Sequence, residues 1–135
     1  MNADIENLMD HSIDYAQDLL DETKEFYPFG AWIDTKGGVH PLEFEFDKKQ
    51  MPTVEKVLED LTSYCENELK DNKMKAFCLT YESELILEQD QPSVKCISLD
   101  ITHQDEKDVP NFYVPYTIND NQDIIYQELF GVKKT

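Results

Sequence analysis

The sequence predicts an α+β domain: an N-terminal helix, a β-hairpin, a second helix and then an antiparallel meander, with five or six strands in the sheet. Three observations carry that prediction. Apolar side chains recur every three or four positions over residues 4–26, they do so again over residues 54–69, and the stretches between and after alternate apolar with polar. Helices and an antiparallel sheet in this order form a two-layer domain, with the helices expected over the buried face of the sheet. The 135 residues suit a single domain, 1–135, able to bury roughly two thirds of the surface its unfolded chain exposes.

The first helix follows from Ile5, Leu8, Met9, Ile13, Ala16, Leu19 and Leu20, which draw one apolar stripe. Its opposite face carries Asp10, Asp14 and Asp18 at i, i+4 spacing, continued by Asp21, Glu22 and Glu25, with Lys24 as the one positive charge nearby. Like charges at that spacing cost a helix a few tenths of a kcal/mol per pair, and acids in the last turn oppose the macrodipole. Local stability therefore did not select them. The stripe is either a solvated face or a surface shaped for a basic partner.

Pro28 has no N–H and restricts the residue before it, so the helical pattern stops by that point, and Gly30 supplies backbone freedom or close approach as the chain turns. Phe26, Tyr27, Phe29 and Trp32 then form an aromatic elbow, and Phe29 and Trp32 are expected to be at least partly buried. Residues 29–34 alternate as a strand, Asp34 to Gly38 has hairpin-loop chemistry, and Leu42, Phe44 and Phe46 alternate with Glu43 and Glu45 in the return strand. His40 is in phase with that apolar set. Pro52-Thr53 opens the second helix, whose buried face is Val54, Val57, Leu58, Leu61, Cys65 and Leu69. Strands follow at Lys75 to Leu87, Val94 to His103 and Asn111 to Ile118. Pro115 cannot donate a ladder hydrogen bond, so the last of these lies at an edge or contains a bulge. For Ile124 to Phe130, periodicity leaves strand and helix both open.

Composition narrows the function classes. The chain has 29 Asp plus Glu against 12 basic residues, a formal net charge of −17, which makes nucleic acid a poor partner. All 12 basic residues are lysine, so there is no guanidinium for bidentate capture of phosphate. No apolar run approaches the roughly 20 residues of a membrane helix, and the first residues lack the basic and apolar regions of a secretory signal, so the expected location is the cytoplasm. Cys65, Cys78 and Cys96, an odd number without CxxC spacing, are expected to be unpaired, buried and reduced.

FYPFGA at residues 26–31, ITHQD at 101–105, the pair Pro115-Tyr116 and the closing Glu128-Leu129-Phe130-Gly131 together resemble a family of small bacterial proteins with no assigned activity. The resemblance spans most of the chain. It implies the same single domain and makes Ile124 to Phe130 a sixth strand, while leaving function open. Members tend to carry Arg after the histidine, where this chain has Gln104. The order helix, hairpin, helix, meander also looks like profilin and roadblock-type scaffolds, on order alone.

Catalytic signatures are thin. No GxSxG, HExxH, GxxxxGK[ST] or GxGxxG occurs. Asn119, Asn121 and Asp123 echo the start of an EF-hand loop, but Ile124 stands where that loop needs Gly and Phe130 where it needs Glu. His103 ends its strand in phase with Ile97, Leu99 and Ile101, close in sequence to Asp100 and Asp105, and is either a core cap or a base or zinc ligand. His103, Tyr116 and His40 are expected to meet at one end of the sheet. Two readings follow. The favoured one is a noncatalytic acidic module, of immunity or inhibitor type, that binds a basic protein through Asp10, Asp14, Asp18, Asp21, Glu22 and Glu25. The alternative is a small hydrolase or metal-dependent enzyme centred on His103. Neither nucleic acid, membrane nor an organic cofactor is called for.

Overall fold

The computed structural model describes residues 2–43 and 49–134. Helix α1 spans Ala3–Thr23 and is capped by Asn2, whose side chain accepts the Asp4 N–H at 2.8 Å. It ends before the segment that the proline pattern suggested. Lys24 takes a left-handed conformation (φ 67°) and donates its N–H to the Leu20 carbonyl, which closes the helix four residues ahead of Pro28. Strands β1 (Phe29–Ile33) and β2 (Val39–Leu42) form the hairpin, and helix α2 (Val54–Lys70) follows with Thr53 as its N-cap. The remaining strands are β3 (Ala76–Leu85), β4 (Val94–His103), β5 (Asn111–Ile118), β6 (Ile124–Tyr126) and β7 (Phe130–Val132). Phe44 and Phe46 of the expected return strand lie outside the described residues.

All strand pairs are antiparallel within one sheet, ordered β2-β1-β3-β4-β5-β6, with β7 also on β5. The α+β prediction holds, with a seventh short strand among the described residues. Residues 124–130 form neither a helix nor one strand. The β6 and β7 strands lie one after the other along the outer edge of β5, and their registers differ by one residue: Tyr116 faces Tyr126 while Tyr113 faces Phe130. Val114 and Pro115 thus oppose three residues, Gln127 to Leu129, as in a bulge. Pro115 explains the site of the break. Its carbonyl accepts the Gln127 N–H at 2.8 Å, so the position of its missing donor points to this same edge. Gly131 lies against the Phe112 ring, where a Cβ would come within 3.2 Å.

The helices do not share a face, which corrects the expected layering. Helix α1 packs its Ile5, Leu8, Ala16 and Leu20 on Phe29, Ala31, Cys78, Leu99 and neighbouring in-phase residues. The Val57, Leu61 and Cys65 side chains of α2 pack with Phe77 and Leu79 and, at the border, Trp32 and Leu42. These are alternate residues of β1 and β3, so they point to opposite sides of the sheet. The cause lies in β3, where Ala76, Phe77, Cys78, Leu79 and Thr80 are all buried and both phases need a cover. Phe29 is buried and Trp32 half-buried, and the three cysteines are free and buried. Burial pushes the Cys65 thiol up to about 12 and Cys78 to about 11. Gly30 sits within β1 with only ordinary contacts around its Cβ direction, and the left-handed glycine of the hairpin is Gly37 (φ 92°). Among the described residues no helix is long and apolar enough to cross a membrane.

Candidate functional site

His103 ends β4 on the α1 side, with its side chain 3% exposed. Its Nδ1 accepts the Asp105 N–H at 3.0 Å, which fixes the neutral tautomer with hydrogen on Nε2. That Nε2–H donates to Asp4 Oδ2 at 2.9 Å. The ring therefore ties the first turn of α1 to the β4–β5 turn. Both nitrogens are occupied in this arrangement, so the histidine offers no free lone pair for a proton transfer or a metal.

His40 and Tyr116 are not beside it. His40 pairs with Trp32, on the α2 side of the sheet, at the same end as His103 but on the other face. Its Nε2 contacts Asp34 Oδ2 at 2.6 Å, and its ring stacks on Trp32 with centroids 4.4 Å apart. Asp34 also accepts the N–H groups of Lys36 and Gly38, and these bonds, led by the one from His40, lower its carboxyl to about 2. The cluster holds the hairpin loop closed. Tyr116 faces Lys95, eight residues along β4 from His103, on the order of 26 Å away.

Tyr116 points instead to a carboxylate that sequence reasoning missed. The buried phenol lies beside Glu82, and burial followed by the Glu82 charge raises its pKa. Glu82 continues the phase of Ala76, Cys78 and Thr80, where the α1-side core would be apolar. Desolvation raises the Glu82 pKa in turn, opposed by the Phe26 N–H, which donates to Oε1 at 3.3 Å, and by Lys95. An acid in the buried phase of a strand is the signal that could have found it.

Glu82 opens into a cleft of about 520 Å³ at the aromatic elbow. Phe26 and Tyr27 form one wall, Met51 and Val54 another, and Glu25 stands at the rim. Val54 belongs to the apolar stripe expected to be buried, yet it is 41% exposed and Met51 is 51% exposed. The difference has a local cause: Val54 is the first residue of α2, beyond the edge of the sheet surface that Val57 and Leu61 cover. The Tyr27 hydroxyl donates to the Pro52 carbonyl at 3.0 Å and ties the elbow to this helix start. A second depression of about 370 Å³ adjoins the first along Thr23 to Tyr27 and is bordered by Tyr15 and Glu43, whose side chains are hydrogen-bonded.

Asp10, Asp14, Asp18, Asp21, Glu22 and Glu25 are all exposed. Asp21 accepts a hydrogen bond from the Tyr126 hydroxyl at 3.0 Å, and Lys24 Nζ turns to the Asp21 carbonyl rather than to a carboxylate. No ion pair among the described residues reaches any of the six. The stripe leads along α1 to the rim of the elbow cleft at Glu25. Comparison with protein-family models, curated proteins and solved structures finds no match. Among the described residues no three His, Cys, Asp or Glu side chains converge as a metal site would require.

Proposed function

We propose that the chain is a noncatalytic acidic binding module, of immunity or inhibitor type, for a basic protein. The observation that carries this is the row of exposed carboxylates along the outer face of α1, which no ion pair among the described residues reaches, on a helix whose last turn holds no basic residue. A helix with that pattern is electrostatically unsatisfied when alone and gains when a positive surface meets it. The net charge of −17 gives the whole molecule a field that draws a cationic protein in and repels acidic ones. The enzyme reading centred on His103 lacks geometric support, because Asp4 and the Asp105 N–H take up both ring nitrogens.

The test compares the wild-type chain with Asp14→Asn/Asp18→Asn as bait in lysate of the source cell. A genuine partner is basic, is held by the wild type and is held less by the variant. Its purified form should associate more slowly as salt rises, since exposed charges are screened over about 8 Å at physiological ionic strength. Equal retention by both baits, with salt-independent association, would reduce the stripe to a solvated face.

A further inference from the structure

The elbow cleft combines three features that select one kind of occupant. Its walls are apolar and aromatic, with Met51 and Val54 uncovered on one side and Phe26 and Tyr27 on the other. Its interior carboxylate is Glu82, half-buried, which accepts the Phe26 N–H and has the Tyr116 hydroxyl beside it. Its rim is the C-terminal end of the 21-residue α1, where the helix dipole and Glu25 add negative potential against the single charge of Lys24. A volume of about 520 Å³ matches clefts that hold small ligands, about 300–1,000 Å³.

We infer that this cleft seats one lysine or arginine side chain of a protein partner, its aliphatic stem against Met51 and Val54 and its charged head at Glu82. The inference rests on the acidic-module reading and gives that surface a specific anchor. An apolar stem suits the uncovered wall, since long basic side chains bury their methylenes while keeping the head polar. The head would lie near the Phe26 and Tyr27 rings, which attract cations through their faces. It would also add a second positive neighbour to Lys95, which shares another depression with Glu82, Glu84 and Tyr116 and leaves two carboxylates there to one ammonium. A neutral apolar side chain would fill the walls but leave the carboxylate desolvated without a counter-charge.

The probes are an acetylated and amidated Ala-Ala-Lys-Ala-Ala peptide, its arginine and norleucine analogues, and decalysine. Amide resonances of the isotope-labelled protein provide the readout. The lysine or arginine pentapeptide should shift Phe26 and Tyr27 saturably, norleucine should not at equal concentration, and Glu82→Gln should weaken binding about fivefold. Gln keeps the acceptor for the Phe26 N–H, so the fold is retained, and the variant's unbound spectrum verifies this. Equal shifts from norleucine, or equal affinity in Glu82→Gln, would overturn the inference. Decalysine separates the acidic surface from the anchor. Binding that weakens with salt and with Asp14→Asn/Asp18→Asn but ignores Glu82→Gln keeps the module and rejects the anchor, whereas no decalysine binding at all rejects both.

Discussion

Replacing His103 with alanine should loosen the junction between the start of α1 and the β4–β5 turn. Two hydrogen bonds disappear: the one from Nε2 to the Asp4 carboxylate at 2.9 Å and the one from the Asp105 N–H at 3.0 Å. A bond to a charged acceptor is worth about 2 kcal/mol, and a neutral one at an exposed turn about 0.5–1 kcal/mol. The imidazole is 3% exposed, so its loss also leaves a small void. The sum is about 3 kcal/mol, which for a domain of this size lowers Tm by about 10 °C. Urea denaturation of the wild type, His103→Ala, Asp4→Ala and the double variant closes a cycle whose coupling should be about 2 kcal/mol. A coupling below about 0.5 kcal/mol would refute the clip. An activity lost in His103→Ala without loss of stability would restore the enzymatic reading.

Asp14→Asn/Asp18→Asn should leave the isolated domain as stable as the wild type or a few tenths of a kcal/mol more stable, through relief of i, i+4 repulsion; chemical denaturation at low salt measures it. The Glu82→Gln substitution should make the free protein slightly more stable at neutral pH, by an amount kept small because solvent screens the half-exposed carboxylate. The Glu82 pKa is raised in the fold, so its carboxyl favours the fold below the ordinary 4.5 and that contribution is lost as pH rises; the gain from Gln should therefore vanish in acid melts near pH 4. Asp34 has the opposite sign: its carboxyl is lowered to about 2, so its contribution is present above the ordinary 3.8 and is lost as pH falls toward 2, and Asp34→Asn should flatten that part of the acid titration of stability. The three thiols should resist an aromatic disulfide reagent in the native state and all react after denaturation, because burial disfavours each thiolate.

Periodicity made the two helices, the hairpin and the three long strands legible, because each is long enough for its pattern to repeat. The three-residue strands β6 and β7 are not, since Ile124, Ile125 and Tyr126 suit a helix turn equally well. The break at Pro115 was readable from one missing donor, whereas its partners were not. The fate of His103 depended on Asp4, 99 residues away, which no local pattern reveals. Glu82 was legible in principle, because it falls in the buried phase of β3. It does not stand out locally, because the chain holds 29 Asp plus Glu and Glu84 follows two residues later. The placement of α2 opposite α1 was foreshadowed by the unbroken apolar run of β3, which calls for cover on both sides.

The one-residue offset between β6 and β7 bears on how the protein behaves when crowded with copies of itself. An added strand needs a long row of free donors and acceptors in a single register, and this border offers two stretches of three residues that cannot both serve one incoming chain. Among the described residues the opposite border is the four-residue β2, which is interrupted by the exposed Pro41. Ile125, Leu129 and Val132 are exposed here, so stickiness is available while templating is not. Removal of the residues from Phe130 onward would bare the edge of β5 at Asn111 to Tyr113 and lengthen the free row open to an incoming strand.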